Sequence, residues 1–180
     1  MNNGAAPAVE LRLLTHRPAE VTKWWAALLD ATARSLSATT TTIGGASLRV
    51  VVECSQIALD YHPEASGVTA ISLALPNLRE VHRTVNRLAR LNSYTHRATR
   101  QGRCAALWFH DPNGTEVALH LPASVADHTA TTDALYEELD PAAVLAYIGR
   151  TTSDSAVGQR DRRRINSVRE RHRLWLVRGE

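Results

Sequence analysis

Residues 108–122 read WFHDPNGTEVALHLP and are the most informative run in the chain. Apolar and polar side chains alternate on both sides of Asp111–Gly114. Proline presets φ at the first central position of a turn, and Asn and Gly tolerate positive φ. The run therefore predicts a hairpin of two antiparallel strands. Because side chains alternate along a strand, Glu116, Ala118 and His120 are expected to share one face.

The first half of the chain predicts a strand, a helix and three further strands. Val9–Thr15 alternates with period two, and Pro18 opens a helix whose apolar residues recur every three to four positions. The three strands that follow are predicted from β-branched runs and turn residues. They cover Ser35–Ile43, Ser47–Glu53 and Ile57–Tyr61.

The second half repeats the same order. Val68–Leu75 predicts a strand, and Asn77 is placed to cap a helix with one apolar face. Three strands are then predicted at Tyr94–Thr99, Arg103–His110 and Thr115–Leu121. We therefore predict an α+β fold built from two βαβββ units of about 55 residues each, an internal duplication of architecture.

This order and two short motifs resemble the vicinal oxygen chelate superfamily, which includes glyoxalases, extradiol dioxygenases, fosfomycin-modifying enzymes and bleomycin-resistance proteins. The run FHDPNGTEVAL at 109–119 is similar to the superfamily's closing hairpin, F-x-D-P-D/N-G-N-x-V/I-E-L. The pairs Trp24-Trp25 and Leu28-Leu29 are similar to its F-Y/W-x-x-x-L segment in the first helix. The resemblance covers residues 8–122 and implies a curved mixed sheet around a cavity.

The resemblance also implies where a divalent metal would be held, by His, Gln or Glu side chains on the first and last strands of the units. The Glu of the closing strand is replaced by Ala118. The usual His of the second unit falls at Val68 or Thr69, and that of the first unit falls near Glu10 or Leu11. The usual metal site is therefore expected to be absent. We predict a small-molecule-binding protein that is metal-independent, uses no cofactor and need not catalyse a reaction.

Six residues on the predicted open faces of the strands are candidate ligand contacts. They are Glu10, Arg12, Trp108, His110, Glu116 and His120. Tryptophan offers a stacking face, arginine a bidentate fork and histidine a switchable donor, which favours a planar or anionic ligand. The same alternation of polar and apolar residues is also typical of a sheet with one solvated face.

An alternative function is a divalent-metal-dependent lyase, isomerase or dioxygenase with relocated ligands such as Glu10, Asp60, Glu116 and His120. The eight histidines are dispersed and form no HxH or HxxxH pair, which argues against a metal site rebuilt from histidines. A second alternative is a regulatory or interaction module that acts through the basic end of the chain.

The composition limits the remaining possibilities. Apolar residues make up 44% of the 180, enough for a core, but no apolar run is long enough to span a bilayer. The first residues, MNNGAAPA, lack the basic and apolar regions of a secretory signal. Two cysteines, Cys54 and Cys104, offer no disulfide framework, so we expect a cytoplasmic protein. The resemblance implies a homodimer, because a partner subunit often completes the cavity.

Residues 1–7 are predicted to be disordered, residues 8–122 to form the glyoxalase-like domain, and residues 123–180 to form a helical basic extension. Thr132–Leu139 and Asp140–Ile148 predict helices, with Gly149 after the end of the second.

The basic charge is concentrated at the end of this extension. Nine of the chain's 21 basic residues and four of its 18 acidic residues lie within 150–180. Residues 160–178 predict an amphipathic helix whose arginines spread around several faces. Three interpretations stay open for it: docking on the body or on a second subunit, a solvated tail, or a surface for nucleic acid, an acidic partner or anionic lipid.

Overall fold

A computed structural model describes residues 9–44, 47–59, 68–102, 104–122 and 136–153. The described residues form two mixed sheets, one helix after the first strand of each unit, and a further helix over residues 141–153. The elements in chain order are β1 Val9–Thr15, α1 Pro18–Leu29, β2 Ala33–Ser35, β3 Thr40–Gly44, β4 Leu48–Cys54, β5 Ala70–Ala74, α2 Leu78–Ala89, β6 Arg97–Gln101, β7 Cys104–His110, β8 Glu116–His120, β9 Glu137–Leu139 and α3 over residues 141–153.

The two sheets have the same connectivity, which confirms the predicted α+β fold of paired βαβββ units. The first sheet has the strand order β1-β4-β3-β2, and the second has β5-β8-β7-β6-β9. In each, the opening strand of the unit pairs in parallel with its closing strand, and the remaining pairs are antiparallel. In each unit, the helix that follows the opening strand is part of the crossover connection that this parallel pair requires.

One face of each sheet packs on the helices and forms the core. On the second sheet, Val117 and Leu119 are fully buried against this core, as the alternation around Ala118 predicted. Trp25 on α1 is also fully buried. The predicted cap of α2 is confirmed, since Asn77 Oδ1 accepts a hydrogen bond from the Glu80 amide at 2.9 Å.

Two strand predictions in the first unit are wrong. Ser35–Ile43 is not one strand, because the chain reverses after β2 through hydrogen bonds from the Leu36 and Ser37 amides to the Thr40 carbonyl. The threonine-rich composition favours extended backbone but does not reveal this turn. Residues 57–59 of the predicted strand Ile57–Tyr61 form no strand, and Tyr61 lies outside the described residues. The β2–β3 hairpin supplies the missing strand of the unit.

Part of the C-terminal extension belongs to the second sheet. Residues 137–139 were predicted to be helical and instead form β9, which pairs with β6. The pairing is reinforced by an ion pair of 2.6 Å between Glu137 and Arg100, whose own surface is only 3% exposed. The three residues of β9, Glu-Glu-Leu, are too few for a sequence pattern to distinguish a strand from a helix.

The helix predicted after Asp140 is confirmed, but it does not end before Gly149. Asp140 Oδ1 accepts from the Ala142 amide at 3.0 Å, and the helix continues to residue 153. A glycine inside a helix costs only about 1 kcal/mol, so Gly149 alone cannot stop it. The predicted disorder of residues 1–7 and the predicted helix at 160–178 lie outside the described residues.

Candidate functional site

The open face of the second sheet, opposite α2, brings polar and aromatic side chains together in rows across the strands. The register places Arg97, Trp108, Ala118 and Ser72 side by side on β6, β7, β8 and β5. We call these four residues the central row. Ala118 is completely buried although it lies on the open face, whereas Ser72 is exposed. The row therefore has a bulky aromatic end and a small-residue end.

Trp108 is held in place from two directions. Its indole Nε1 donates a hydrogen bond to Thr99 Oγ1 at 2.8 Å. The guanidinium carbon of Arg97 lies 4.4 Å from the centroid of the Trp108 ring, a cation–π contact. These contacts orient the indole on the sheet surface, where it is half-buried, so part of its apolar area remains available to a ligand.

A second group of side chains lies beside the central row, at the end of the sheet formed by the Asp111–Gly114 turn. We call His96, His110 and Glu116 the His–Glu cluster. The two imidazole rings stack with centroids 4.0 Å apart and planes inclined by 15°. Glu116 Oε1 lies 3.2 Å from His96 Nε2 and 4.0 Å from His110 Nε2.

Glu116 also joins the cluster to the central row. Arg97 Nη2 donates to both carboxylate oxygens of Glu116, at 3.2 Å to Oε2 and 3.4 Å to Oε1, and Oε1 also lies 3.2 Å from His96 Nε2. The pKa of His96 is lowered, mainly by burial and then by the neighbouring His110, and the carboxylate of Glu116 offsets this only in part. The neutral form of His96 is therefore favoured, and neutral imidazole is the form that binds metals.

The turn that carries this end of the sheet is fixed to α1 through Asp111, which is 3% exposed. Its carboxylate accepts hydrogen bonds from the indole Nε1 of Trp25 at 3.2 Å and from the amides of Asn113 at 2.9 Å and Thr115 at 3.0 Å. Burial raises the pKa of Asp111, and these hydrogen bonds oppose the rise. Asp111 thus has a structural role that connects the two units.

The hairpin contacts the end of β1 as well. Thr15 Oγ1 donates to Asn113 Oδ1 at 2.7 Å, and Arg17 Nη1 donates to the Pro112 carbonyl at 3.2 Å. The position of His110 and Glu116, which flank the turn, is therefore set by the first unit as well as by the second.

The six predicted ligand contacts do not form one site. Trp108, His110 and Glu116 lie together as described above. Glu10 and Arg12 lie on the first sheet, where Arg12 pairs with Glu10 at 2.9 Å and with Glu53 at 2.7 Å. These two residues are held by their own ion pairs.

His120 is at the far end of β8, four residues from Glu116, which corresponds to about 13 Å along a strand. It pairs across the sheet with Ala106 and Ala74. The relocated metal ligands considered from the sequence are therefore dispersed: Glu10 is on the other sheet, Glu116 and His120 are at opposite ends of one strand, and Asp60 lies outside the described residues.

Sequence reasoning missed His96 and Arg97. The strand around them was predicted at Tyr94–Thr99, whereas β6 covers Arg97–Gln101 and its last residue, Gln101, pairs with Cys104, the first residue of β7. The positive φ of Gly102 marks this tight connection. A hairpin placed there would have set Arg97 opposite Trp108, so the signal was present in the sequence.

A separate surface groove of about 550 Å³ lies between the start of α2 and the end of α3. Its lining includes Asn77, Arg79, Arg83 and Thr152. None of the described residues that line it is aromatic, whereas the open face of the second sheet carries Trp108, so that face is the better candidate for an aromatic ligand.

Comparisons with known proteins show a similarity of fold to solved structures but no match of sequence. No protein-family model matches the sequence, and no curated protein sequence does. Within the described part of the chain, no helix is long and apolar enough to span a membrane.

Solved structures do match. A glyoxylase/bleomycin resistance protein/dioxygenase domain from Frankia sp. EAN1pec is 16% identical, with a TM-score of 0.51 over 67% of this chain and 98% of that one. A glyoxalase/bleomycin resistance protein/dioxygenase from Alicyclobacillus acidocaldarius is 9% identical, with a TM-score of 0.50 over 67% of this chain and 94% of that one. About two thirds of this chain therefore shares the paired βαβββ fold of these two structures.

Proposed function

We propose that this protein binds a planar, anionic small molecule on the open face of its second sheet, without a metal at the superfamily's usual position and without catalysing a reaction. The observation that supports this most directly is the central row. In it, an oriented tryptophan and an arginine lie beside two small residues, Ala118 and Ser72.

The central row has the chemistry to recognise such a ligand. A flat ring can lie over the exposed Ser72 and against the exposed part of the Trp108 indole, next to the buried Ala118, whose methyl group adds little steric bulk. The guanidinium of Arg97 can turn from Glu116 to a ligand carboxylate, for which its planar fork is suited. Arg97 thereby replaces Arg12, which the sequence suggested for this purpose.

The side chains at the superfamily's usual metal position support the proposal that no metal is bound there. Ala118 has only a methyl group, and Val68 and Thr69, where the superfamily's His is expected, are not good ligands for zinc or iron. Ligand recognition is therefore attributed to stacking and to charge-assisted hydrogen bonds.

This proposal predicts that Trp108→Ala and Ser72→Leu weaken ligand binding while the fold is retained. The test is isothermal titration with a panel of aromatic mono- and dicarboxylates, in buffer containing a chelator. For compounds that bind the wild type, loss of a stacking indole is expected to reduce affinity about tenfold or more. Ser72→Leu should do the same by filling the floor of the site. Arg49→Ala, on the first sheet, is the matched control and should bind as the wild type does.

Equal affinities for the wild type and for Trp108→Ala would contradict the proposed site. Binding that occurs only when the chelator is left out of the buffer would contradict metal independence, and turnover of the bound compound would contradict the non-catalytic assignment.

We further propose that the chain is a cytoplasmic homodimer. Both cysteines, Cys54 and Cys104, are free thiols, as is usual in a reducing compartment. Ile57 and Leu59 are 87% and 88% exposed, which is unusual for large apolar side chains that lie two residues apart. Replacing both with serine is expected to shift the sedimentation coefficient from dimer to monomer. A wild-type chain that sediments as a monomer at micromolar concentration would refute the dimer.

A further inference from the structure

The His–Glu cluster brings three metal-ligating side chains together from three separate points of the chain. His96 immediately precedes β6, His110 is the last residue of β7, and Glu116 is the first residue of β8. Because β6 begins only at Arg97, the regular alternation of the strand does not fix the direction of the His96 side chain. Its ring stacks on His110.

The distances within the cluster suit a single divalent ion. One ligand atom from each residue can be chosen so that all three lie within 4.8 Å of one another. Ligand atoms bound tetrahedrally at about 2.0–2.1 Å from a zinc ion are about 3.3 Å apart. The 3.2 Å between His96 Nε2 and Glu116 Oε1 already matches this value. To bind the same ion, His110 Nε2 must move closer than its present 4.0 Å from that oxygen, and the two stacked rings must turn so that a nitrogen of each points at the ion.

The surroundings also support such a site. Arg97 Nη2 donates to Glu116 at 3.2 Å to Oε2 and 3.4 Å to Oε1, and ligating carboxylates are commonly held by such an additional hydrogen bond. The side chains of His96, His110 and Glu116 are 33%, 51% and 29% exposed. An ion can therefore reach the site from solvent, and it would keep open positions for water.

We propose that His96, His110 and Glu116 form a binding site for a divalent transition-metal ion of the Zn²⁺ class. Two imidazoles and one carboxylate are a donor set that Zn²⁺ and its neighbours in the first transition row accept. The site is one row away from Ala118 and uses none of the positions at which the superfamily's usual ligands are expected. It goes beyond the proposed ligand binding, which rests on Trp108.

The test is a titration of the metal-stripped full chain with Zn²⁺, followed by calorimetry, together with Co²⁺ as a spectroscopic probe. The wild type is expected to bind one Zn²⁺ at this site and to give visible Co²⁺ absorption bands. His96→Ala, His110→Ala and Glu116→Gln should each weaken this binding by more than about 100-fold, since even outer partners of metal ligands contribute 10- to 100-fold. The Co²⁺ bands should disappear as well.

His120→Ala is the matched control, because His120 lies on the same strand as Glu116 and outside the cluster; it should bind Zn²⁺ as the wild type does. The thermal midpoints of all variants show whether they are folded. Wild-type affinity in the double variant of His96 and His110 would overturn the proposal, as would a wild type that binds no Zn²⁺. Trp108→Ala should retain Zn²⁺ binding, so failure of the ligand site and failure of the metal site are distinguishable.

Discussion

Replacing Asp111 with alanine is expected to lower the free energy of unfolding by about 3 kcal/mol. The substitution leaves the buried indole N–H of Trp25 without its acceptor, and it removes the shared acceptor of the Asn113 and Thr115 amides. Each buried donor that loses its partner costs about 1–3 kcal/mol. Part of this cost is offset, because the variant no longer buries a carboxylate whose pKa is raised by desolvation.

Urea denaturation monitored by fluorescence and circular dichroism measures this change. Asp140→Ala is the matched control, because Asp140 is an exposed cap whose carboxylate accepts a hydrogen bond from the Ala142 amide, and its loss should cost only about 1 kcal/mol. If the two variants were equally stable, Asp111 would not have the structural role assigned to it. The effect should also extend to the His–Glu cluster, since His110 is the neighbour of Asp111.

Much of the fold could be predicted because its signals are local. The Asp-Pro-Asn-Gly turn, the proline at the start of α1 and the Asn77 cap of α2 each act within a few residues. The two units of the duplication followed from the order of these signals. The split of Ser35–Ile43 into two strands could not be predicted, because a run of threonines favours extended backbone throughout and the turn is made by ordinary backbone hydrogen bonds.

The candidate site could be predicted only where one hairpin determines it. Trp108, His110 and Glu116 follow from the alternation on the two sides of a single turn. Their grouping with His96 and Arg97 depends on the register of β6 against β7, and a shift of a strand by one residue reverses every side chain. Glu10 and Arg12 were grouped with them by parity, but parity within a strand carries no information about which sheet it joins.

Different residues of the closing hairpin determine the fold and carry the groups that can bind a metal. The hairpin shows the fold because Asp111 and the turn residues connect the two units. Ala118 in its second strand removes the usual carboxylate. The same turn nevertheless has His110 on one side and Glu116 on the other. The hairpin therefore lacks the usual ligand at Ala118 but carries two of the three ligating residues of the His–Glu cluster.

Ile148→Ala is expected to lower the free energy of unfolding by about 3 kcal/mol, within the range for truncating a buried isoleucine. Ile148 is 1% exposed and lies in the same apolar core as Leu107 and Leu119 of the second sheet. The helix α3 follows β9, which is paired with β6. The substitution therefore removes packing from the domain itself, although Ile148 lies in the extension that has no counterpart in the superfamily resemblance.

The decisive measurement for Ile148→Ala is the shape of the denaturation curve as well as its midpoint. A helix that shares the core should unfold with the rest in one cooperative transition, which the substitution moves as a whole. Arg150→Ala is the matched control on the same helix; Arg150 is exposed, so its removal should change stability by no more than about 0.5 kcal/mol. An early, separate transition for α3, or a loss below about 1 kcal/mol, would mean that the helix only lies against the domain. A single shifted transition would mean that residues 136–153 complete the second sheet, so the folded unit extends beyond the boundary that the sequence suggested at residue 122.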